Sequence, residues 1–178
     1  MTKTATHRDR RMLALMNDDR HRGLYATRAR RRGLVTAHVA LSAALLGALW
    51  ALPGDHGWPL YAVLPALLVL LAVWCTITGA LNLATRGLLE LRARVLDERQ
   101  LADRGRVLAV AHRASLALQL AVLFGLYLAH AHGDARLSVP FLLGTLFALL
   151  VAHWLLPLWI ATLTAPDDPA DDVVDELP

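Results

Sequence analysis

Polar side chains embedded in long apolar runs are the residues of this chain that could do chemistry inside a hydrocarbon layer. One candidate comes from each of four apolar runs: His38, Thr76, Gln119 and His153. An unpaired polar group in hydrocarbon costs several kcal/mol, so each needs a hydrogen-bond partner. We therefore expect the four to form one intramembrane polar cluster. Two interpretations stay open, a network that fixes helix packing or a site that senses a proton or a ligand.

A second group of histidines falls in or directly beside the short segments between the runs. His56, His130 and His132 lie near Asp55 and Asp134. Imidazole and carboxylate groups could bind Zn²⁺ or Cu²⁺. Two residues with one residue between them point to different faces of a helix, so His130 and His132 could chelate a metal only if the helix ends first. These histidines are a weak candidate metal site, and no cofactor is predicted.

The sequence contains none of the common motifs for catalysis or nucleotide binding. It lacks a Walker A loop, a G-x-G-x-x-G turn, an H-E-x-x-H helix, a C-x-x-C pair and a G-x-S-x-G elbow. The single cysteine, Cys75, lies inside an apolar run and cannot form an intrachain disulfide. We therefore predict that the protein is not an enzyme.

Four apolar runs must position these side chains. They cover residues 33–52, 58–83, 114–131 and 139–163 of a chain that is 56% hydrophobic, with a mean hydropathy of +0.44. A helix that crosses a bilayer needs about 20 mostly apolar residues, and each run meets or approaches that length. The remaining segments are too short to bury a core of their own. The predicted fold is all-α, a bundle of four transmembrane helices.

The distribution of basic residues predicts the orientation of these spans. Residues 1–32 contain ten Lys and Arg, and residues 85–113 contain seven. The first outer loop, 53–57, and the tail, 164–178, contain none, and the second outer loop contains only Arg136. Because basic residues in short flanking segments stay in the cytoplasm, both termini are predicted to be cytoplasmic.

Composition indicates a bacterial origin. One Lys stands against 17 Arg, and Ala and Leu are abundant, which is typical of high-GC bacterial coding. We therefore expect a multi-pass protein of the bacterial inner (plasma) membrane. The sequence pI of about 9.6 does not predict nucleic-acid binding, because the basic residues flank membrane spans.

The two ends of the chain carry opposite charge. The head, residues 1–32, ends in a basic cluster formed by Arg28, Arg30, Arg31 and Arg32, directly before the first span. Such arginines attract anionic lipid headgroups by about 1 kcal/mol each, although the cluster could also be a plain topology signal. The tail from 164 is acidic and is predicted to be disordered. Two interpretations of it stay open: a solvated tail that makes no contact, or a tail that competes weakly with anionic lipid for these arginines.

The segment between spans two and three is predicted to be a cytoplasmic helical hairpin, residues 85–113. Arg86, Glu90, Arg94 and Glu98 alternate in sign at i, i+4 spacing, which supports a helical extension of the second span. The sequence Asp97-Glu98-Arg99-Gln100 matches a capping box, with Asp97 at the N-cap and Gln100 at N3. A new helix is therefore predicted to begin at Glu98 and to continue into the third span.

The same segment resembles a group of small four-span bacterial membrane proteins, mostly labelled uncharacterised integral membrane proteins. The matching residues are Leu81-Asn82-Leu83-Ala84-Thr85-Arg86-Gly87-Leu88, then Leu96-Asp97-Glu98-Arg99-Gln100 and Arg104. They are similar to the N-x-x-T-R-G turn and the L-D-E-R-Q box that this group carries between spans two and three. The resemblance covers about 25 positions and implies the same topology. It implies no activity, cofactor or catalytic residue.

Two functions from different classes are compatible with this sequence. The first is a non-enzymatic inner-membrane protein that docks a cytoplasmic protein partner through its hairpin and charged termini. The second is a small transporter or channel subunit that uses the polar cluster of His38, Gln119 and His153. Ladders of small residues at i, i+4 on several spans are expected to mediate helix contacts within the bundle, with homo-oligomerisation as the alternative.

Overall fold

The structure is a computed structural model, which describes residues 6–16, 19–51, 60–132 and 138–167. These residues form five α-helices and two short 3-10 helices, and no strand occurs among them. The α-helices are α1 (His7–Met16), α2 (Arg28–Ala51), α3 (Leu60–Ala84), α4 (Glu98–Ala131) and α5 (Val139–Thr164). The predicted all-α class is confirmed.

Helices α2, α3, α4 and α5 are each long and apolar enough to cross a membrane, which indicates a multi-pass membrane protein. The 34 residues of α4 span about 51 Å, well beyond the roughly 30 Å of a hydrocarbon core. Its first turns carry most of its charges and extend past the apolar part. We call this side of the molecule, where α2 and α4 begin and α3 and α5 end, the charged end.

Helix α5 is the centre of the packing. It contacts α4 most extensively and also packs against α2 and α3, which form a second pair. The buried apolar cluster lies toward the charged end and comprises Val35, Leu81 and Leu158, with Ile77 and Trp159 packed around it. Toward the other end of the helices most apolar side chains are exposed, as expected for helices surrounded by lipid.

The predicted helical extension of the second span is wrong. Helix α3 ends at Ala84, and a turn follows in which Arg86 and Gly87 both have positive φ, 51° and 69°. The N–H of Gly87 donates to Asn82 O (3.0 Å) and that of Arg86 to Leu83 O (2.9 Å), which is a Schellman C-cap. Each i, i+4 charge pair is worth only a few tenths of a kcal/mol, and that is too little to overcome a capped stop.

The second half of the predicted hairpin has the expected start. Gln100 N donates to Asp97 Oδ1 (2.6 Å) and Asp97 N donates to Gln100 Oε1 (3.1 Å), so the capping box is confirmed. From Glu98 the helix continues without a break to Ala131. Within this helix, Arg104 Nη1 donates to Leu91 O (2.8 Å) and holds the connector, residues 85–97, against α4.

The cap can be tested by substitution. Asp97→Ala removes the acceptor for Gln100 N, so we expect a loss of about 0.5–2 kcal/mol in the free energy of unfolding. Asp97→Ser keeps an acceptor and should cost much less. The measurement is thermal unfolding of the purified protein in detergent. Equal stability of both variants and the wild type would show that the box contributes nothing.

Candidate functional site

A buried histidine joins three of the long helices. His38 of α2 is fully buried. Its Nε2 lies 2.8 Å from Thr78 Oγ1 of α3, and Trp159 Nε1 of α5 donates to its Nδ1 at 3.0 Å. The imidazole also packs against the ring of Trp74, with 4.9 Å between ring centroids. A single side chain therefore ties α2 to both α3 and α5.

The surrounding bonds define which nitrogen of His38 carries the proton. The indole of Trp159 can only donate, so His38 Nδ1 must accept and Nε2 must hold the hydrogen that it donates to Thr78. Thr78 in turn donates to Trp74 O (2.8 Å). Trp74 Nε1 donates to Ser42 Oγ (2.8 Å), which donates to His38 O (2.8 Å). The ring is neutral and both of its nitrogens are satisfied, which favours the structural interpretation.

A second polar network joins α4 to α5. Ser115, which is buried, lies with its Oγ 2.7 Å from His153 Nδ1. Gln119 Nε2 donates to the same oxygen at 3.2 Å. The expected link between His153 and Gln119 therefore exists, but it runs through Ser115 Oγ. Both His153 and Gln119 are exposed on the surface of the helix pair.

The prediction of one polar cluster is wrong in its composition. His38 belongs to the first network, and Gln119 and His153 belong to the second. Thr76 joins neither, because its hydroxyl donates to Ala72 O of its own helix (2.9 Å) and the side chain is exposed. The prediction grouped these residues by their expected depth, and depth does not tell which face of a helix each occupies.

Sequence reasoning missed Thr78, Trp74 and Trp159 as partners of His38. Two regularities could have found the first two. His38 and Ser42 are four residues apart on α2, and Trp74 and Thr78 are four apart on α3, so each pair shares a helix face. Two polar faces at the same depth on consecutive spans are expected to meet. No comparable signal identifies Trp159.

The second network should contribute little to stability. Hydrogen bonds between membrane helices average about 0.6 kcal/mol, so His153→Leu should change the unfolding temperature only slightly. A double-mutant cycle between His153→Leu and Ser115→Ala should show a coupling of that order, measured by unfolding in detergent. A coupling of zero would mean that this bond does not form, and loss of folding would mean that its role is larger than structural bonding predicts.

The head is folded against the charged end. Thr6 caps α1, because its N–H and hydroxyl both donate to Asp9 Oδ2 (2.9 and 2.8 Å), and Asp9 N donates back to Thr6 Oγ1 (3.3 Å). The same carboxylate, which is 7% exposed, lies 2.5 Å from Arg94 Nη2 of the connector. At the other end of α1, Met16 packs tightly on Gly87. A Cβ added to Gly87 would lie only 2.8 Å from Met16 Cγ.

The Asp9 contact predicts a pH dependence. The hydrogen bonds from the Thr6 N–H and hydroxyl, with a smaller effect of Arg94, lower the pKa of Asp9 from 3.8 to about 2 against the opposing effect of burial. Because the pKa is lower in the folded state, the carboxylate stabilises the capped start of α1, and to a smaller degree its contact with Arg94, above about pH 4. This stabilisation is lost as the pH falls toward 2.

Spin labels at Ala14 and Arg99 can measure this release as a distance. The wild type should lengthen that distance only on acidification, whereas Asp9→Asn should lengthen it at neutral pH. Asp103→Asn, which removes a half-exposed carboxylate on α4, is the control and should leave the distance unchanged. We call the contact between Asp9 and Arg94 the first latch. A docked head in Asp9→Asn at neutral pH would contradict it.

A second latch joins the start of α2 to the end of α5. Arg31 is 2% exposed. Its Nη1 donates to Tyr25 O (3.1 Å) and Ala26 O (3.2 Å), and its Nη2 donates to Ala165 O (2.8 Å) and Asp167 Oδ1 (2.7 Å). Its Nε is buried without a partner among the described residues. One guanidinium therefore links segments that are 134 to 136 positions apart.

The sequence predicted that all four arginines of the basic cluster face lipid. The structure shows a mixed arrangement. Arg31 is buried, and Arg28 Nε lies 3.3 Å from Asp167 Oδ2. Arg30 and Arg32 are exposed and have no carboxylate partner in the described part of the chain. The reason for the difference is that Asp167, the first acidic residue of the tail, lies at the start of α2 and forms ion pairs with two of the four arginines.

The weak metal candidate receives no support from the described residues. His56, together with Asp55 and Asp134, lies outside them. His132 Nδ1 lies 2.7 Å from Leu128 O at the end of α4, and the described part of the chain holds no group of three metal-binding side chains.

The comparisons with known proteins assign no family to this chain. No protein-family model matches the chain, and no characterised protein or solved structure shows significant similarity to it. The resemblance to small four-span bacterial proteins therefore stays a prediction. Function has to be inferred from the structure itself.

Proposed function

We propose that this is a non-enzymatic protein of the bacterial inner membrane that docks a cytoplasmic protein partner at its charged end. The observation behind the proposal is that three separated segments fold together there. The head is latched to the connector by Asp9 and Arg94, and the start of α2 is latched to the end of α5 by Arg31 and Asp167. We call the head and the connector with the first turns of α4 the platform.

The exposed charge of the platform favours an acidic partner. Many of its arginines are exposed, among them Arg8, Arg10, Arg11, Arg92 and Arg99. Its acidic side chains are fewer, and Asp9, the one that contacts two arginines, is buried. Exposed arginine on an ordered surface can bind carboxylates in a bidentate manner, so it provides geometric specificity as well as attraction. Attraction of this kind also weakens as salt is added.

The proposed orientation follows from the same charges. All of the platform would be cytoplasmic, because 17 of the 18 basic residues lie in the head or in residues 85–113. A cytoplasmic partner would then meet the head and connector together. The second outer loop, with Arg136, would face the periplasm.

The alternative of a transporter or channel subunit rests on the intramembrane polar groups. Its premise was a single cluster of His38, Gln119 and His153, and these residues lie in two separate networks. In the first network both ring nitrogens of His38 are already bonded to protein groups, which leaves that ring no free position for a transported ion. We therefore rank docking above transport.

Photo-crosslinking in cells tests the docking proposal. A photoreactive amino acid placed at Arg10 or Arg92 should give a crosslinked product with a defined protein partner. The same group at Leu123, which is exposed on the apolar part of α4, is the control and should not capture that partner. Replacing Arg11 and Arg99 together by Glu should abolish the product, and replacing them by Lys should weaken it. A product that is unchanged by charge reversal, or found equally at Leu123, would contradict docking at the platform.

Flux measurements distinguish the transporter alternative from docking. Purified protein in liposomes should not conduct protons or small cations above the level of empty liposomes. Flux that His38→Leu abolishes would overturn the ranking in favour of transport.

A further inference from the structure

An open groove runs between the short 3-10 helix Asp19–Leu24 and the first turns of α2. Its volume is about 530 Å³, and it is lined by Gly23, Leu24, Arg30, Gly33, Leu34 and Ala37. The 3-10 helix packs against α3, which holds it beside α2. The side chain of Arg30 bridges the two walls, because its Nη1 donates to Gly23 O. The groove is therefore a defined part of the folded head.

The lining changes from polar to apolar along the axis of α2. Arg30, Gly33, Leu34 and Ala37 are spaced at i, i+3, i+4 and i+7, so they share one face of the helix. Ala37 lies about 10 Å beyond Arg30 along the axis. Arg30 precedes the apolar part of α2, and the other three residues lie within it. One end of the groove thus falls at the headgroup region, and the other lies among acyl chains.

The cation at the polar end is free of internal neutralisation. Arg28 and Arg31 both contact Asp167, whereas Arg30 has no ion pair among the described residues. Its bond to a neutral carbonyl oxygen leaves its positive charge uncompensated. An arginine of this kind can bind a phosphate oxygen through its remaining N–H groups.

We propose that the groove binds one anionic phospholipid. Its phosphate contacts Arg30, and the upper part of one acyl chain lies along Gly33, Leu34 and Ala37. The anionic headgroup matches the polar end of the groove, and the acyl chain matches its apolar end. Headgroup and acyl chain follow each other in the same order in a bilayer. Since Gly33 carries no side chain and no atom approaches within 4 Å of the position of a Cβ there, the chain has direct access to the backbone of α2.

Glycine substitutions make a sharp test, because the same free space exists at another position of the same helix. Gly33→Leu adds a side chain that lines the groove, where a Cβ meets no atom within 4 Å, and Gly47→Leu adds the same side chain to α2 away from the groove, where a Cβ is equally free. A second pair, Arg30→Gln and its exposed neighbour Arg32→Gln, tests the charge. Thermal unfolding of all four variants in detergent checks that each is folded.

The measurement is native mass spectrometry of the full-length protein titrated with phosphatidylglycerol or phosphatidylcholine. The wild type should retain one phosphatidylglycerol in preference to phosphatidylcholine. Gly33→Leu should weaken phosphatidylglycerol binding by at least about tenfold, and Arg30→Gln by roughly fivefold with loss of the headgroup preference. Gly47→Leu and Arg32→Gln should match the wild type.

Four results would overturn the proposal. Unchanged binding in a folded Gly33→Leu variant would show that no acyl chain uses the groove. Equal retention of the two lipids by the wild type would remove the role of Arg30. Displacement of the lipid by millimolar inorganic phosphate, with Gly33→Leu behaving as the wild type, would indicate an anion site alone. A dimer that disappears in Gly33→Leu would assign the groove to a second copy of the chain.

Discussion

Arg31→Ala should destabilise the protein more than any other single arginine substitution in the head. The change removes the donor for three backbone carbonyl groups and the buried half of the pair with Asp167. Loss of one partner from a fully buried pair costs about 3–5 kcal/mol. Since Asp167 is half-exposed and can return to water, we expect about 2–4 kcal/mol for Arg31→Ala.

Two further variants separate charge from geometry at this position. Arg31→Lys keeps the positive charge but cannot reach four acceptors in two directions, so its stability should lie between those of Arg31→Ala and the wild type. Arg32→Ala removes the exposed neighbour and should change the unfolding temperature little. Unfolding in detergent measures all three. Equal effects at Arg31 and Arg32 would show that the latch does not stabilise the fold.

His38→Leu should have the second large effect. The substitution removes both hydrogen bonds of the imidazole, and it leaves the Trp159 N–H without an acceptor in a buried site. A buried unsatisfied group costs about 1–3 kcal/mol, and imperfect filling of the space adds to that loss. We expect a total of about 2–4 kcal/mol, compared with the small effect predicted for His153→Leu.

Conservative replacements test the assigned bonds of His38 one at a time. An Asn oxygen can take the place of Nδ1 and accept from Trp159, while a Gln amide nitrogen can take the place of Nε2 and donate to Thr78. Each should restore part of the stability that Leu loses. Tryptophan fluorescence gives an independent measurement, because Trp74 and Trp159 both contact the ring. An emission spectrum that is identical in His38→Leu would contradict the network.

The sequence predicted the membrane helices well because their signal is local. Length and hydropathy alone identify four spans, and the Asp97 box identifies the start of α4 to the residue. The end of α3 was mispredicted, although Gly87 is a typical C-cap residue. The alternating charges from Arg86 onward satisfied a helical pattern that the left-handed turn at Arg86 interrupts.

The site was less predictable because its contacts connect distant parts of the chain. His38 was singled out correctly, yet its partner Trp159 is 121 positions away and carries no pattern that links the two. Arg31 stood within a run of similar arginines, and its burial depends on where Asp167 returns. Periodicity describes one helix at a time, whereas the rotation of a helix about its axis is decided by what packs against it.

The central claim is that the head, the connector and the end of α5 form one folded unit on the cytoplasmic side. Labelling with a membrane-impermeant maleimide tests it most directly, after Cys75 is replaced by Ala. Single cysteines at Arg10, Arg92 and Thr164 should react in inverted membrane vesicles and stay unlabelled in intact cells whose outer membrane has been permeabilised. A cysteine at Asp55, in the predicted outer loop, should show the opposite pattern. Labelling of Arg10 and Arg92 from opposite sides of the membrane would contradict the account.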